Sequence, residues 1–394
     1  MGIEIHGFRF STTCAGIKRQ DRPDMALIVS DPPARWAGFF TKNLVKAAPV
    51  IYGMQRFREG SPVSAVLVNS GNANACNGTE GMEDLLLLCH ECAGHLKVPE
   101  DQVLMASTGV IGERLPVDRM RKALTHLVRG IGKATLKDVA EAIMTTDRYP
   151  KWEMSYPEGF PDVKIGGVVK GAGMICPNMA TMLGFFVMNA GLAMDSLRDM
   201  SRKAVEESFN RIMIDGDQST NDMVLVLDNG VPLSGTKESG RLNQAVSYEL
   251  NKMMHLLAEK IVDNGEGVTK VVTLIVEGAA TREDAKRVAE SIGKSPLVKT
   301  AFYGEDPNWG RVVAAIGYSG ANIDLNNLDI RFNDTLLVSG GKFMGEAAER
   351  QVAEVMKERG YTLRVSLGHG EADYHLITSD LSVEYVKINA DYRS

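Results

Sequence analysis

The sequence predicts a mixed α/β (α+β) protein of layered sheets covered by helices, and three observations carry that expectation. Apolar, β-rich runs alternate with stretches of three-and-four apolar spacing along the whole chain. Several of the apolar runs end in polar, glycine-containing segments, as strands do in α/β sheets. The 394 residues, 44% hydrophobic and 24% charged, have the composition of an ordinary folded protein. At roughly 150 residues per domain that length predicts about two or three folding units.

In chain order, Ala26 to Ser30, Pro49 to Tyr52, Ala65 to Asn69, Val103 to Met105, Val163 to Val169 and Met182 to Met188 read as buried strands, followed by Met223 to Leu227 and Val271 to Glu277. Met82 to Leu96, Val117 to Val128, Leu136 to Met144, Leu197 to Phe209 and Leu242 to Val262 have the spacing of helices packed on a sheet. Thr135 with Asp138, and Thr281 with Asp284, stand at capping-box spacing, and Asp306-Pro307 reads as an N-cap with Pro at the first helical position. The texture changes near Asp263 to Lys270, where Asp-Asn-Gly-Glu-Gly closes a long helix. This divides the chain into a larger domain, 1–268, and a smaller one, 269–394, that closes the pocket. The second would hold helices Arg282 to Ile292, Asn308 to Ile316 and Glu346 to Arg359, with paired strands about the Asn333-Asp334 turn and strands at the end. Tyr385, Val386 and Ile388 read as a short strand-like run pinning the tail.

Charge and composition exclude several function classes. A net charge of −6 offers no positive field for nucleic acid or anionic lipid. The apolar run Met182 to Met188 is far shorter than the roughly 20 residues of a membrane span. Met1 to Arg19 has no apolar export core, and five cysteines, an odd count, argue for free thiols in a reducing compartment. The expected location is the cytoplasm.

Several motifs have ordinary explanations. Cys89 and Cys92, beside His90 and His95, continue the apolar face of Leu85, Leu86 and Leu88 and read as core rather than as zinc ligands or a redox pair. Lys170-Gly-Ala-Gly173 lacks the third glycine of a dinucleotide loop. Asp215-Gly-Asp217 with Asn221 and Asp222 lacks the length and final Glu of a calcium loop, so no metal is expected. Asn69 to Asn74 and Ser107-Thr108-Gly109 are polar strand ends, compatible with a site or with plain turns. The histidines show no triad order with a Ser or Cys elbow.

The segment Lys170-Gly-Ala-Gly-Met-Ile-Cys-Pro-Asn-Met-Ala180-Thr181-Met-Leu is the informative one. Thr181 opens an apolar strand directly after a small residue, so in a strained loop its hydroxyl can face the Ala180 carbonyl. An N-to-O acyl shift and ester hydrolysis would then free the Thr181 amine, whose pKa of about 8 lets it deprotonate the adjacent hydroxyl. One residue would supply both nucleophile and base. The alternative is a polar loop entering a buried strand.

At this segment the chain resembles the ornithine acetyltransferase family, also called the glutamate N-acetyltransferase or bifunctional arginine-biosynthesis acyltransferase family. Matching blocks run along nearly the whole length: Ala15-Gly-Ile-Lys18, Phe40-Thr-Lys-Asn43, Lys46-Ala-Ala-Pro49, Asn69 to Ala75, Ser107 to Gly112, Met144-Thr-Thr-Asp147 and Lys170 to Leu183. They continue through Ser208-Phe-Asn210, Asp215 to Asp222, Glu266-Gly-Val-Thr-Lys270, Gly304 to Arg311 and Lys387 to Ser394. The resemblance implies an autoprocessing N-terminal-nucleophile fold cut between Ala180 and Thr181. The α chain (1–180) and β chain (181–394) would stay together as an α2β2 assembly.

It further implies that Thr181 takes the acetyl group of N2-acetylornithine, releases ornithine and passes the acetyl group to glutamate. Thr108 and Gly109 match the oxyanion pair. Thr145, Lys170, Thr181, Glu266, Asn389 and Ser394 match substrate-contacting positions. Neither cofactor nor metal is implied; acetyl-CoA is an open co-substrate, with no separate CoA motif in view. Lys170 and Glu266 would complement a substrate bearing a carboxylate and a distal ammonium. Three positions depart from the family pattern: Asn189 replaces a usual Asp, Ile377-Thr378-Ser379-Asp380 replaces a Trp-containing turn, and Ser394 replaces a more frequent Thr. Two other readings stand beside this one. The first is an autoprocessing amidohydrolase or aminopeptidase that lets water intercept the acyl-threonine; the second is a non-catalytic binding protein.

Overall fold

The computed structural model describes residues 4–18, 22–176, 182–230 and 237–391, with the side chains of the last stretch described from residue 239 on. Its strands are β1 (Phe8–Thr13), β2 (Met25–Phe40), β3 (Val63–Asn72), β4 (Val103–Val110), β5 (Lys151–Ser155), β6 (Ile165–Lys170), β7 (Leu183–Met188), β8 (Ile212–Met213) and β9 (Met223–Asp228). Six more follow: β10 (Val271–Ala279), β11 (Asp329–Phe332), β12 (Thr335–Ser339), β13 (Lys342–Phe343), β14 (Gly360–Ser366) and β15 (Ala372–Ser379). The helices are α1 (Ala48–Glu59), α2 (Gly78–Leu96), α3 (Val117–Arg129), α4 (Leu136–Ile143), α5 (Met194–Glu207), α6 (Lys237–Asp263), α7 (Arg282–Lys294), α8 (Pro296–Tyr303), α9 (Trp309–Gly317), α10 (Glu346–Met356) and α11 (Val383–Asp391).

One sheet runs β4-β3-β2-β9-β7-β6-β5, with β1 also on β2. The long β2 serves two neighbourhoods: Met25–Val29 pairs with β1 and β3, and Arg35–Phe40 pairs with β9. The central strands β6, β7 and β9 are buried along their whole length because both faces are covered. Strand alternation divides their side chains between two cores. Phe185, Val187 and Leu225 join Leu27, Leu67, Met105, Leu124 and Val139 on the side of α1–α4. Phe186, Met188 and Val226 join Leu250, Met254, Leu257 and Ile261 on the side of α5 and α6.

The second sheet runs β13-β12-β11-β14-β10-β15-β8. Here β10 and β14 alternate buried and half-buried residues, as a sheet does when only one face is packed on helices. Val272, Leu274 and Val276 meet Val288, Ile292, Phe302, Ile316 and Met356 from α7, α8, α9 and α10. The short β8, which precedes β9 in the chain, pairs parallel with β15, so the chain visits the second sheet before completing the first.

The helix starts Thr135 and Thr281 are as the sequence predicts: Thr135 and Asp138 form a reciprocal capping box, and the Thr281 hydroxyl accepts the Asp284 N–H. Three local expectations are corrected. Pro49 to Tyr52 lies in α1, whose second residue is Pro49, a position where the missing N–H costs nothing. Tyr385 to Ile388 lies in α11, where the Ser382 hydroxyl accepts the Tyr385 N–H. The cap of α9 is Asn308, whose side chain accepts the Arg311 N–H, and Asp306-Pro307 forms the preceding turn. No helix among the described residues is long and apolar enough to cross a membrane.

Candidate active site

The site grows from the ends of β3 and β4, parallel neighbours that carry the polar, glycine-containing segments Asn69 to Asn72 and Ser107 to Gly109. Beneath it, Ser107 Oγ donates to Asn69 Oδ1 at 2.6 Å and Asn69 Nδ2 to the Asn72 carbonyl at 2.9 Å. Asn221 Nδ2 bridges the Ala73 and Ser107 carbonyls at 2.6 and 2.8 Å. These buried bonds give the Asn72, Ala73 and Ser107 carbonyls side-chain partners where the strands part. Gly109 follows with φ +136°, and a Cβ there would stand 2.3 Å from the Gly71 carbonyl carbon, so only glycine lets the two strand ends meet this closely.

A cavity of about 190 Å³ opens there, lined by Thr108, Gly109, Thr145, Lys170, Glu266 and Asn389 together with Asp215, Asp217, Asn221 and Tyr385. Lys170, the last residue of β6, donates from Nζ to Thr108 Oγ1 at 3.3 Å, with both residues buried. A hydroxyl that accepts from an ammonium is polarised and still has its own hydrogen to direct elsewhere. Glu266 Oε2 accepts from Asn389 Nδ2 at 2.9 Å. Gly267 makes that contact geometrically feasible: at φ +67°, a Cβ there would lie 2.4 Å from the Tyr385 main-chain nitrogen. No described residue forms an ion pair with Lys170 or Glu266. One buried cation and one buried anion therefore face the same small volume, an arrangement complementary to an amino acid.

Asp147 fastens two walls of this cavity. Its Oδ2 accepts the Thr145 N–H at 2.9 Å, while Oδ1 accepts the Gly171 N–H at 2.9 Å and Lys151 Nζ at 2.5 Å. The side chains of Asp147 and Lys151 are fully buried. Burial alone would raise the Asp147 carboxyl, but Lys151, Lys170 and the Gly171 N–H together hold it well below the usual carboxylate range.

Asp215 fastens the loop preceding the expected junction to α11. Its oxygens accept Met174 N–H at 2.6 Å, Ile175 N–H at 2.9 Å and the Tyr385 hydroxyl at 3.2 Å. Burial pushes its carboxyl up to about 6 against the lowering pull of the main-chain donors. Because the folded value lies above the unfolded one, near 3.9, the stabilisation from protonated Asp215 is complete below about pH 4 and fades as pH rises through about 6. The stability of wild type relative to Asp215→Asn should accordingly fall by about 2–3 kcal/mol between about pH 4 and 6.5. Urea unfolding at fixed pH values measures this, and a flat difference would show that Asp215 does not titrate in that window.

Of the residues singled out in the sequence, Thr108, Gly109, Thr145, Lys170, Glu266 and Asn389 come together in the cavity. Ala180, Thr181 and Ser394 lie outside the described residues. Asn189 stands apart from the cavity lining, bracing a loop through the Lys164 N–H and the Asp162 carbonyl. In the altered turn, Asp380 accepts the Thr269 and Lys270 N–H groups. Cys89 and Cys92 are core residues of α2, and burial pushes both thiols up. Cys176 is likewise buried, and its thiol is pushed up to about 11, which leaves it a small apolar group at neutral pH. Asp147, Asp215 and Tyr385 were not read as site residues from the sequence. The block Met144-Thr-Thr-Asp147 was the available signal for the first.

The chain is similar to known proteins along nearly its whole length. The ArgJ family description matches residues 9–394. The arginine biosynthesis bifunctional protein ArgJ of Geobacter sulfurreducens is 46% identical over 396 residues, covering 100% of both chains. Its counterpart from Syntrophotalea carbinolica is 45% identical over 395 residues, again covering 100% of each. A solved structure of ornithine acetyltransferase complexed with ornithine, from Mycobacterium tuberculosis, is 36% identical with TM-score 0.42, covering 45% of this chain and 93% of that one. With the family match spanning all but the first residues and relatives aligned from end to end, the chain belongs to the ArgJ family of arginine-biosynthesis acyltransferases, enzymes that act on small molecules.

Proposed function

We propose that the chain cuts itself between Ala180 and Thr181, and that Thr181 then carries an acetyl group from N2-acetylornithine to glutamate. The observation that carries this reading is the gathering of Thr108, Gly109, Thr145, Lys170, Glu266 and Asn389, far apart in sequence, around one cavity. In the proposed cycle the Thr181 amine takes the proton of its own hydroxyl, and the oxygen attacks the acetyl carbonyl. The Thr108 hydroxyl and the Gly109 N–H steady the developing oxyanion, with Lys170 polarising Thr108. Ornithine leaves with the proton, glutamate enters the same volume, and its amine takes the acetyl group. Lys170 pairs with the substrate carboxylate and Glu266 with the distal ammonium; Thr145, Asn389 and Ser394 supply the remaining polar contacts. The acyl bond is conserved throughout, so the cycle asks for neither cofactor nor metal.

Two displacements at one threonine require ping-pong kinetics. Parallel double-reciprocal lines and an acetyl-labelled β chain are expected, whereas intersecting lines without a labelled chain would mean direct transfer. Thr108→Val should lower kcat by about 10²–10³-fold with a smaller change in KM, because the lost donor acts chiefly at the tetrahedral stage. We extend the reading to an α2β2 assembly in the cytoplasm and to acetyl-CoA as a second donor, the property the relatives' name "bifunctional" suggests. Incubating the enzyme with glutamate and acetyl-CoA alone tests the last point: N-acetylglutamate formation supports it, and none would restrict the enzyme to acetylornithine.

A further inference from the structure

The loop between β8 and β9 holds both flanks of the expected cleavage junction. On the upstream side Asp215 accepts the Met174 and Ile175 N–H groups. On the downstream side Asp222 Oδ1 accepts the Met182 N–H at 2.9 Å. Met182 is bonded directly to Thr181, so its nitrogen is three covalent bonds from the nitrogen of the Ala180–Thr181 peptide.

Asp222 is unusual among the carboxylates near the cavity. It is 1% exposed, and its second oxygen, Oδ2, has no hydrogen-bond partner among the described residues. The neighbouring Thr41 hydroxyl donates to the Ser219 carbonyl at 2.9 Å. An ionised carboxylate so placed would leave charge buried and unsolvated. Burial accordingly raises its pKa well above the ordinary carboxylate value, against the lowering pull of the Met182 N–H, the nearby Thr41 hydroxyl and Lys170. The acetyl-transfer cycle makes no use of this group.

We propose that Asp222 holds the main chain at the cleavage junction through Met182 and supplies the exchangeable proton for self-cleavage, an inference that rests on the reading that the chain cuts itself there. In the N-to-O shift the Thr181 Oγ–C bond to the Ala180 acyl carbon forms and the C–N bond breaks. Oγ loses a proton and the departing nitrogen gains one. Asp222 gives its proton to that nitrogen and recovers the hydroxyl's, ending neutral as it began. Water then hydrolyses the ester, leaving the Ala180 carboxyl and a free Thr181 amine and hydroxyl.

Asp222→Asn keeps an oxygen for the Met182 N–H and removes the exchangeable proton. Intact mass and denaturing electrophoresis should show wild type as two pieces. The variant, with an unchanged circular dichroism spectrum, should remain a precursor that cleaves at least about 100-fold more slowly, in keeping with general acid–base effects. Hydroxylamine, which splits an accumulated ester, should not cut it. Asp222→Ala with added formate provides the second measurement: a formate-dependent rise in cleavage rate supports proton exchange, which a purely structural role would not produce. Cleavage of Asp222→Asn at the wild-type rate overturns the proposal, as does a folded Asp222→Ala indifferent to formate, or loss of soluble protein in both variants. An intact wild-type chain would instead overturn the self-cleavage reading itself.

Discussion

Thr181→Ala is expected to remain one chain of 42.9 kDa and to show no measurable acetyl transfer. The wild type should give pieces of about 20 and 23 kDa, residues being taken at average mass. The expected effect is this large because in the proposed cycle a single residue contributes the nucleophile for the cut, the nucleophile for transfer and, through its freed amine, the base. Thr108, whose hydroxyl accepts from Lys170, cannot take over this work, because its nitrogen is tied up in a peptide bond and offers no free α-amine as base. Thr181→Ser keeps all three functions and should still be cut, which separates loss of chemistry from loss of fold. Electrophoresis and an ornithine-release assay on the same preparations measure both effects. An uncut wild type with full transfer activity would sink the mechanism.

Asp147→Ala should destabilise the protein by about 3–5 kcal/mol, since it leaves the ammonium of Lys151 buried without its counter-charge. The same change frees the Thr145 and Gly171 N–H groups, so two cavity walls loosen together. Replacing both partners, Asp147→Asn with Lys151→Met, removes the orphaned charge and should restore most of the lost stability, although the double variant still lacks one main-chain acceptor. Denaturant unfolding of wild type, Asp147→Asn, Lys151→Met and the double variant forms the cycle; an additive result would show that the pair is not coupled. The acid limb carries the sign of a depressed carboxyl. Stability from Asp147 is complete above the unfolded value near 3.9 and is lost as pH falls below the ordinary carboxylate range.

What the sequence disclosed follows from what local chemistry can encode. Thr135 and Asp138 are four-residue signals whose partners lie next door, and they fold as expected. Pro49 to Tyr52 is apolar and β-branched, but four residues carry too little periodicity to tell a strand from the buried opening of a helix. The tail run from Tyr385 is helical for two reasons: Ser382, three residues ahead, accepts the Tyr385 N–H, a local start signal, while its hydroxyl donates to the Gly267 carbonyl and Gly267 packs closely on Tyr385, contacts that only the fold supplies. At the site, Thr108, Gly109 and Lys170 could be found as polar ends of apolar strands. Asp147 could not be read as a brace, because its role exists only once Lys151 is buried beside it and Gly171 is brought within reach. In the sequence Asp222 is one more acidic residue of a segment that falls short of a calcium loop, and the isolation of one of its oxygens exists only once the fold buries it.

The order of the first sheet gives a break after residue 180 an unusual mechanical character. In the row β2-β9-β7-β6, the inner two strands belong to the downstream piece and the outer two to the upstream piece. The two ladders joining them, β2 to β9 and β6 to β7, each run over six residue pairs. Separating the pieces would unzip both ladders at once and open two hydrophobic cores to water. A chain severed there would therefore be interlocked like the fingers of two hands. It would retain the cohesion of a continuous polypeptide. Refolding would be a different matter, since two pieces must then find each other by diffusion, so such a cut would turn a unimolecular fold into one that the molecule assembles only once.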